Sequence, residues 1–291
     1  MKRYLLGKVG ISRGLLIELK NEAQLASLIA HEIAHKERHD LSETRYSREQ
    51  ELEADEVALT FLQKAGYDPQ AFISVQKLLH KIAKSRSDTL FSFHPLFKER
   101  IEAIRRKNII QQGFVGEEQY LKAITHLREV MSNYKKYEKG KQLLATGFIN
   151  EAMAIADSIT KAYPEEALFS ALRAEVFLKK NELLSAIECY THAIDKNSYY
   201  YLFFFNRGKA YIALKQFGNA KKDFYTSLLL LNKAETRLLL AEVLFQTDQI
   251  RKGLEQIQIV TKEFPGYESR AEELLNRLAS QSSSLQNLLI Q

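Results

Sequence analysis

Four small residues, Ala152, Ala186, Ala220 and Gly253, recur at spacings of 34, 34 and 33. This period constrains the fold of the chain more than any other feature. Twelve residues before each stand Gly140, Ala174, Gly208 and Ala241, and twelve after the first and last stand Pro164 and Pro265. Tyr190 and Phe224 share one register position, as do Phe177 and Tyr211. Small residues let two helices approach closely, aromatic rings fill the gap beside them, and a proline ends the second helix. A period of this length corresponds to one helix pair per repeat, each pair burying its apolar face on the next. Residues 133–266 are therefore expected to form four such repeats, followed by a capping helix over Tyr267–Ala279 and a polar Ser/Gln tail over 280–291. In the run Tyr199–Phe205, alternate members are expected to fill the repeat core. The others would line a concave groove or a contact with the first half, since seven residues cannot all face inward on one helix. Cys189, beside Tyr190, reads as a small core residue.

The first half is organised around His31-Glu32-Ile33-Ala34-His35. The surrounding run from Glu22 to about Arg38 is rich in Ala, Leu, Glu and Ile, contains neither Gly nor Pro, and has Asn21 in position to cap it, so it predicts a helix. Residues four apart share a helix face, so His31 and His35 present two imidazoles to one point. That is the arrangement a tetrahedral zinc ion needs from two of its ligands, with Glu32 one step round to hold a metal-bound water; it is the HExxH signature of zinc peptidases. The same five-residue pattern also occurs on ordinary solvated helices, so its surroundings decide.

A second helix is predicted from about Tyr46 to Ala65, stopped by Gly66 with Pro69 soon after. Glu51 and Asp55 lie on one face of it, beside a small-residue seam of Ala54, Ala58, Leu59 and Leu62. Glu49, Glu53 and Glu56 fit a solvated face. Glu51 is the carboxylate best placed to supply a third zinc ligand. The next helix, Gln70 to about Lys84, has the apolar spacing of a core element, and its His80 reads as surface or half-buried. Further on, Pro95 suits the first turn of another helix and holds His94 extended just before it. His39 lies about 12 Å along the helix from His31 at 1.5 Å per residue, too far for both to reach one ion. His126 has no companion.

His31-Glu-Ile-Ala-His35, Glu51-Leu-Glu-Ala-Asp55 and His94-Pro95 with Arg100, in that order, resemble the zinc metallopeptidases related to HtpX, Oma and the CAAX prenyl proteases. Ser12-Arg-Gly-Leu-Leu and Asn21-Glu-Ala-Gln-Leu also look like that family, and the likeness covers roughly residues 9–108. It implies one zinc per chain, held by His31, His35 and Glu51, with Glu32 as catalytic base. It further implies that His94 is a reversible ligand or oxyanion stabiliser. Asp55 and Arg100 would support the ligands from behind, and His39, from its place on the helix, is expected to be structural or to support them likewise. The 34-residue period resembles the tetratricopeptide repeat, and the combination resembles the BepA-like branch of the family. The fold class expected is thus mainly α: a zincin-type helical domain over 1–110 with a short strand and turn within 8–19, a helical linker over 111–132, and the repeat solenoid.

By that resemblance the function would be endoproteolysis of misfolded or misassembled envelope proteins. The repeats would hold the substrate or contact envelope assembly machinery, in the periplasm or at a membrane. Family members normally carry further sequence before the Ser12 segment, including a Gly-rich strand at the cleft edge, whereas eleven residues precede it here. The rival expectation is accordingly a latent, non-catalytic repeat scaffold or chaperone-like adaptor. Net charge is +6, from 42 basic and 36 acidic residues, without a basic stripe carrying interleaved aromatics, so no nucleic acid is expected as partner. No apolar run of 18 residues occurs to span a membrane, mean hydropathy is -0.29, and the first ten residues do not read as a secretory signal. With one cysteine, no internal disulfide can form.

Overall fold

The computed structural model describes residues 3–4, 8–38, 46–85, 97–106 and 112–281, and these form two compact units, Met1–Met131 and Ser132–Gln291. Both are mainly α-helical. In the first unit, β1 (Arg3–Tyr4) pairs antiparallel with β2 (Lys8–Val9), Arg3 opposite Val9. The strand and turn expected over 8–19 shrink to those two residues, and most of that segment is helix α1 (Arg13–Glu18). The reason is local: Ser12 Oγ accepts from the Leu15 N–H at 3.2 Å, a side-chain cap that commits the next residues to a helix.

Helix α2 (Glu22–Arg38) starts where Asn21 Oδ1 accepts from the Gln24 N–H at 2.9 Å. Helix α3 (Arg48–Lys64) begins with a capping box: Ser47 Oγ accepts from the Gln50 N–H, and Gln50 Oε1 accepts from the Ser47 N–H at 2.6 Å. It ends at Gly66, whose φ of 79° is the left-handed conformation that stops a helix. Helices α4 (Gln70–Ser85), α5 (Phe97–Arg106) and α6 (Glu117–Ala123) complete the unit, before α7 (Thr125–Ala145) runs on into the second.

The core between α2 and α3 is made of small side chains: Ala30 and Ala34 against Ala54 and Ala58, closed by Leu59, Leu62, Phe72, Ile73 and Ile104. Alanines four apart on facing helices allow the two backbones to come close. His31 and His35 follow the first pair by one residue, Asp55 follows Ala54 by one, and Glu51 precedes it by three. A second cluster, of Leu19, Leu28, Val75, Tyr120 and Ile124, seats α6 from the expected linker on the other side of α2. Just ahead of α6, the segment 113–116 lies along residues 66–68: the Phe114 N–H donates to the Gly66 carbonyl at 2.8 Å, and the Asp68 N–H to the Phe114 carbonyl at 3.0 Å. The carbonyls of Val115 and Gly116 then accept from the first-turn N–H groups of Ala23 and Glu22.

The second unit continues with α8 (Ile149–Ala162), α9 (Ala167–Lys179), α10 (Leu183–Lys196), α11 (Tyr201–Ala213), α12 (Phe217–Leu230), α13 (Ala234–Gln246), α14 (Ile250–Glu263) and α15 (Glu268–Gln281). The even-numbered helices from α8 to α14 start at 149, 183, 217 and 250, which is the period read from the small residues. The glycines sit where packing requires them. A Cβ on Gly208 would lie 2.7 Å from the Phe224 ring, and one on Gly253 2.7 Å from the Phe245 ring. The aromatic run does not alternate. Phe203 and Phe204 are the buried members, while Tyr199 is 85% exposed, because α11 starts only at Tyr201 and adjacent helical residues can share a buried sector. Among the described residues no helix is long and apolar enough to cross a membrane.

Candidate metal centre

Helices α2 and α3 bring His31, His35 and Glu51 together, with one donor atom from each lying within 4.8 Å of the others. The two Nε2 atoms are 3.0 Å apart, and the imidazole planes meet at 85° so that both edges converge. Glu51 Oε2 is 3.4 Å from His31 Nε2, and Oε1 is 3.3 Å from His35 Nε2. Donor atoms about 2.0–2.1 Å from a tetrahedral ion are about 3.3–3.4 Å from one another. Each imidazole nitrogen thus has its own Glu51 oxygen at about that spacing, and two nitrogens with a carboxylate between them are a donor set that fits zinc. Each of the three residues is buried. The capping box at Ser47 contributes directly, because it fixes the helix start and so places Glu51 at the end of the first turn, facing α2.

Behind the donors lies a layer of charge. His31 Nδ1 is 3.0 Å from Asp55 Oδ1, the contact that makes Nδ1 the protonated nitrogen and leaves Nε2 as the donor atom for a metal. Asp55 is held by Arg100 from α5, through Nε to Oδ2 at 2.7 Å and Nη2 to Oδ1 at 2.6 Å. The same guanidinium reaches Glu51 Oε2 through Nη1 at 2.8 Å. Arg100 and Asp55 are only 1% and 2% exposed. Burial pulls the His31 pKa down and the positive charge of Arg100 adds to that, yet the hydrogen bonds to Asp55 and Glu51 outweigh both and the net shift is upward. Burial pushes Asp55 up, but Arg100 and His31 bring it below its ordinary value. Burial also works against the Arg100 charge, while Asp55, Glu51 and Glu32 more than restore it. Glu32 is half-buried next to this layer, on α2 between the two histidines.

The positions singled out from sequence thus divide. His31, His35, Glu51, Asp55 and Arg100 are gathered by three helices around one point, and Glu32, half-buried on α2, is near enough to act on the Arg100 charge. His39 and His94 lie outside the described residues. His80 is half-buried on α4 and His126 exposed on α7. Tyr46, read from sequence only as the start of a helix, is also part of the site. Its ring stacks on that of His35 with centroids 3.6 Å apart and planes within 5°, and it is 4% exposed. The available signal was its place just before the capping serine, from which a side chain packs back on the helix.

Two segments, 4–45 and 40–108, match the model of peptidase family M48. The mitochondrial metalloendopeptidase OMA1 of Arabidopsis thaliana is 28% identical over 142 residues, an alignment covering 38% of this chain and 29% of that protein. The match therefore spans less than a third of that relative. Among solved structures, TTC0263, a thermophilic TPR protein of Thermus thermophilus, is similar with a TM-score of 0.44 at 20% identity, over 56% of this chain and 85% of that one. YrrB, a TPR protein with an unusual peptide-binding site, gives 0.43 at 17%, over 54% and 93%.

Proposed function

We infer, from an M48-type peptidase unit joined to tetratricopeptide-type repeats, that this protein is a zinc-dependent metalloendopeptidase acting on misfolded or misassembled proteins. The observation that carries the reading is the convergence of His31 Nε2, His35 Nε2 and Glu51 at the spacing of a tetrahedral donor set. Zinc held there would supply Lewis acidity toward the scissile carbonyl and a water acidified toward neutral pH. Glu32 is the base: its carboxylate receives the proton of the attacking water and returns it to the leaving amine. Asp55 accepts from His31 Nδ1 and keeps the imidazole in the tautomer and orientation that ligation needs. Tyr46 holds the plane of His35 by stacking. His94 is proposed to stabilise the developing oxyanion or to act as a reversible ligand. The repeats are proposed to hold substrate or partner segments. Following the likeness to the BepA-like branch, the substrates are envelope proteins, with assembly machinery as partner and the periplasm or a membrane surface as the place of action.

The test measures zinc content and casein cleavage on the purified chain, beside Glu32→Gln. One zinc per chain, with cleavage abolished by the substitution, is the expected result. No zinc would overturn the reading. One zinc without cleavage in the unaltered protein would favour the latent scaffold.

A further inference from the structure

Both oxygens of Glu51 face the histidines, so by position alone this carboxylate is able to chelate an ion through two oxygens. One of them already has another partner. Arg100 Nη1 stands 2.8 Å from Oε2 as an ion pair, outside the alignment of a hydrogen bond. The guanidinium has little freedom to leave, since two of its other nitrogens grip Asp55 at 2.6 and 2.7 Å and the side chain is 2% exposed. A fork of this kind holds its geometry in a way that a single ammonium does not.

Resting on the metal-centre reading above, we propose that Arg100 is a positioning and selectivity residue. By occupying Oε2 it makes Glu51 a one-oxygen ligand, and so biases the site toward a small four-coordinate ion. Zinc is satisfied by four donors at about 2.0–2.2 Å. Calcium takes six to eight oxygens at about 2.3–2.6 Å and uses two-oxygen carboxylates freely. Manganese, also partial to oxygen donors, lies between. The charge count agrees: Glu51 and Asp55 bring two negative charges to a buried point, and Arg100 leaves one of them for a divalent ion to offset.

The experiment is a competition titration of the full chain with a chromophoric chelator, using zinc and manganese separately, for the unaltered protein, Arg100→Lys and Arg100→Gln. Arg100→Gln is expected to lose about 10–100-fold in zinc affinity and to narrow the preference for zinc over manganese about tenfold. Arg100→Lys should recover only part of either. Unaltered zinc affinity and preference in both variants would overturn this inference while leaving the metal centre standing. No zinc bound by the unaltered protein would overturn the metal centre itself. Because removing a buried cation can unfold the unit, X-ray absorption on the zinc-loaded unaltered protein gives a second readout. A single short zinc–oxygen bond from a carboxylate supports the proposal, and the close zinc–carbon distance of a chelating carboxylate overturns it.

Discussion

At the residue scale the centre is a balance of buried charges. Removing one partner of such a pair leaves the other uncompensated, at a cost of about 3–5 kcal/mol. Asp55→Ala, which takes from Arg100 its two-bond partner and from His31 Nδ1 its carboxylate while Glu51 stays beside both, is expected to destabilise the first unit by about the lower end of that range in urea unfolding. The Asp55 pKa is below its ordinary value in the folded protein, because Arg100 and His31 outweigh the effect of burial. Its contribution to stability is therefore present above about pH 4, the unfolded value, and is lost as pH falls through the lower folded value. His31 moves the other way. Despite burial its hydrogen bonds raise its pKa, so the metal-free protein holds that proton above about pH 6.5. Zinc requires neutral imidazole, so binding near neutrality should release a proton and tighten as pH rises. Calorimetry in two buffers of different ionisation enthalpy measures this, and equal heats in both would refute it.

At the scale of elements, the sequence was most legible where chemistry and helical spacing coincide. His31 with His35, and Glu51 with Asp55, are each four apart, and the spacing alone placed them on two faces. That the faces meet follows from the alanines beside them. Arg100 could be named from its motif, but its grip on both Glu51 and Asp55 depends on how α5 crosses α3, which no local pattern encodes. The turns inside the helix pairs were illegible for another reason. Gly147, Asn181, Lys215 and Asp248 occupy one register position and all have positive φ, from 56° to 87°; Gly, Asn and Asp take that conformation readily, but Lys does not. At Lys215 only the fold imposes the conformation, so the shared turn could not be read from residue type there. Lys215→Gly is expected to stabilise the second unit by about 0.5–1 kcal/mol, after the greater freedom of glycine in the unfolded chain is set against the relieved strain. Gly113 is the opposite case. A Cβ there would stand 2.4–2.5 Å from the backbone of Tyr67 and Asp68, which cannot move aside as a side chain can. Gly113→Ala should cost the first unit about 1–3 kcal/mol by forcing those strands of chain apart, readable as a lowered midpoint in urea.

On the scale of the whole molecule, the chain joins two units stabilised by different means. The first gathers charged and small residues around a candidate ion, and the second repeats a packing of glycine or alanine on aromatic rings. Zinc that binds only the folded first unit stabilises it by about 2.7 kcal/mol at one hundred times its dissociation constant. Chelation by EDTA should therefore lower one calorimetric transition and leave the other in place. A single transition that shifts as a whole would show the units to be thermodynamically coupled. The period was visible over this whole half because each repeat solves the same packing problem. The first half solves its problem once, so only its chemistry stood out.

The carbonyls of Val115 and Gly116 on the opening turn of α2 have a consequence for exchange with solvent. Amides in the first turn of a helix ordinarily have no partner and trade their hydrogens with water within moments. Those of Glu22 and Ala23 are closed off by a segment more than ninety residues away in the chain. In deuterated water they should keep their protons as long as amides in the middle of α2. The helix carrying the two histidines would then have no frayed beginning.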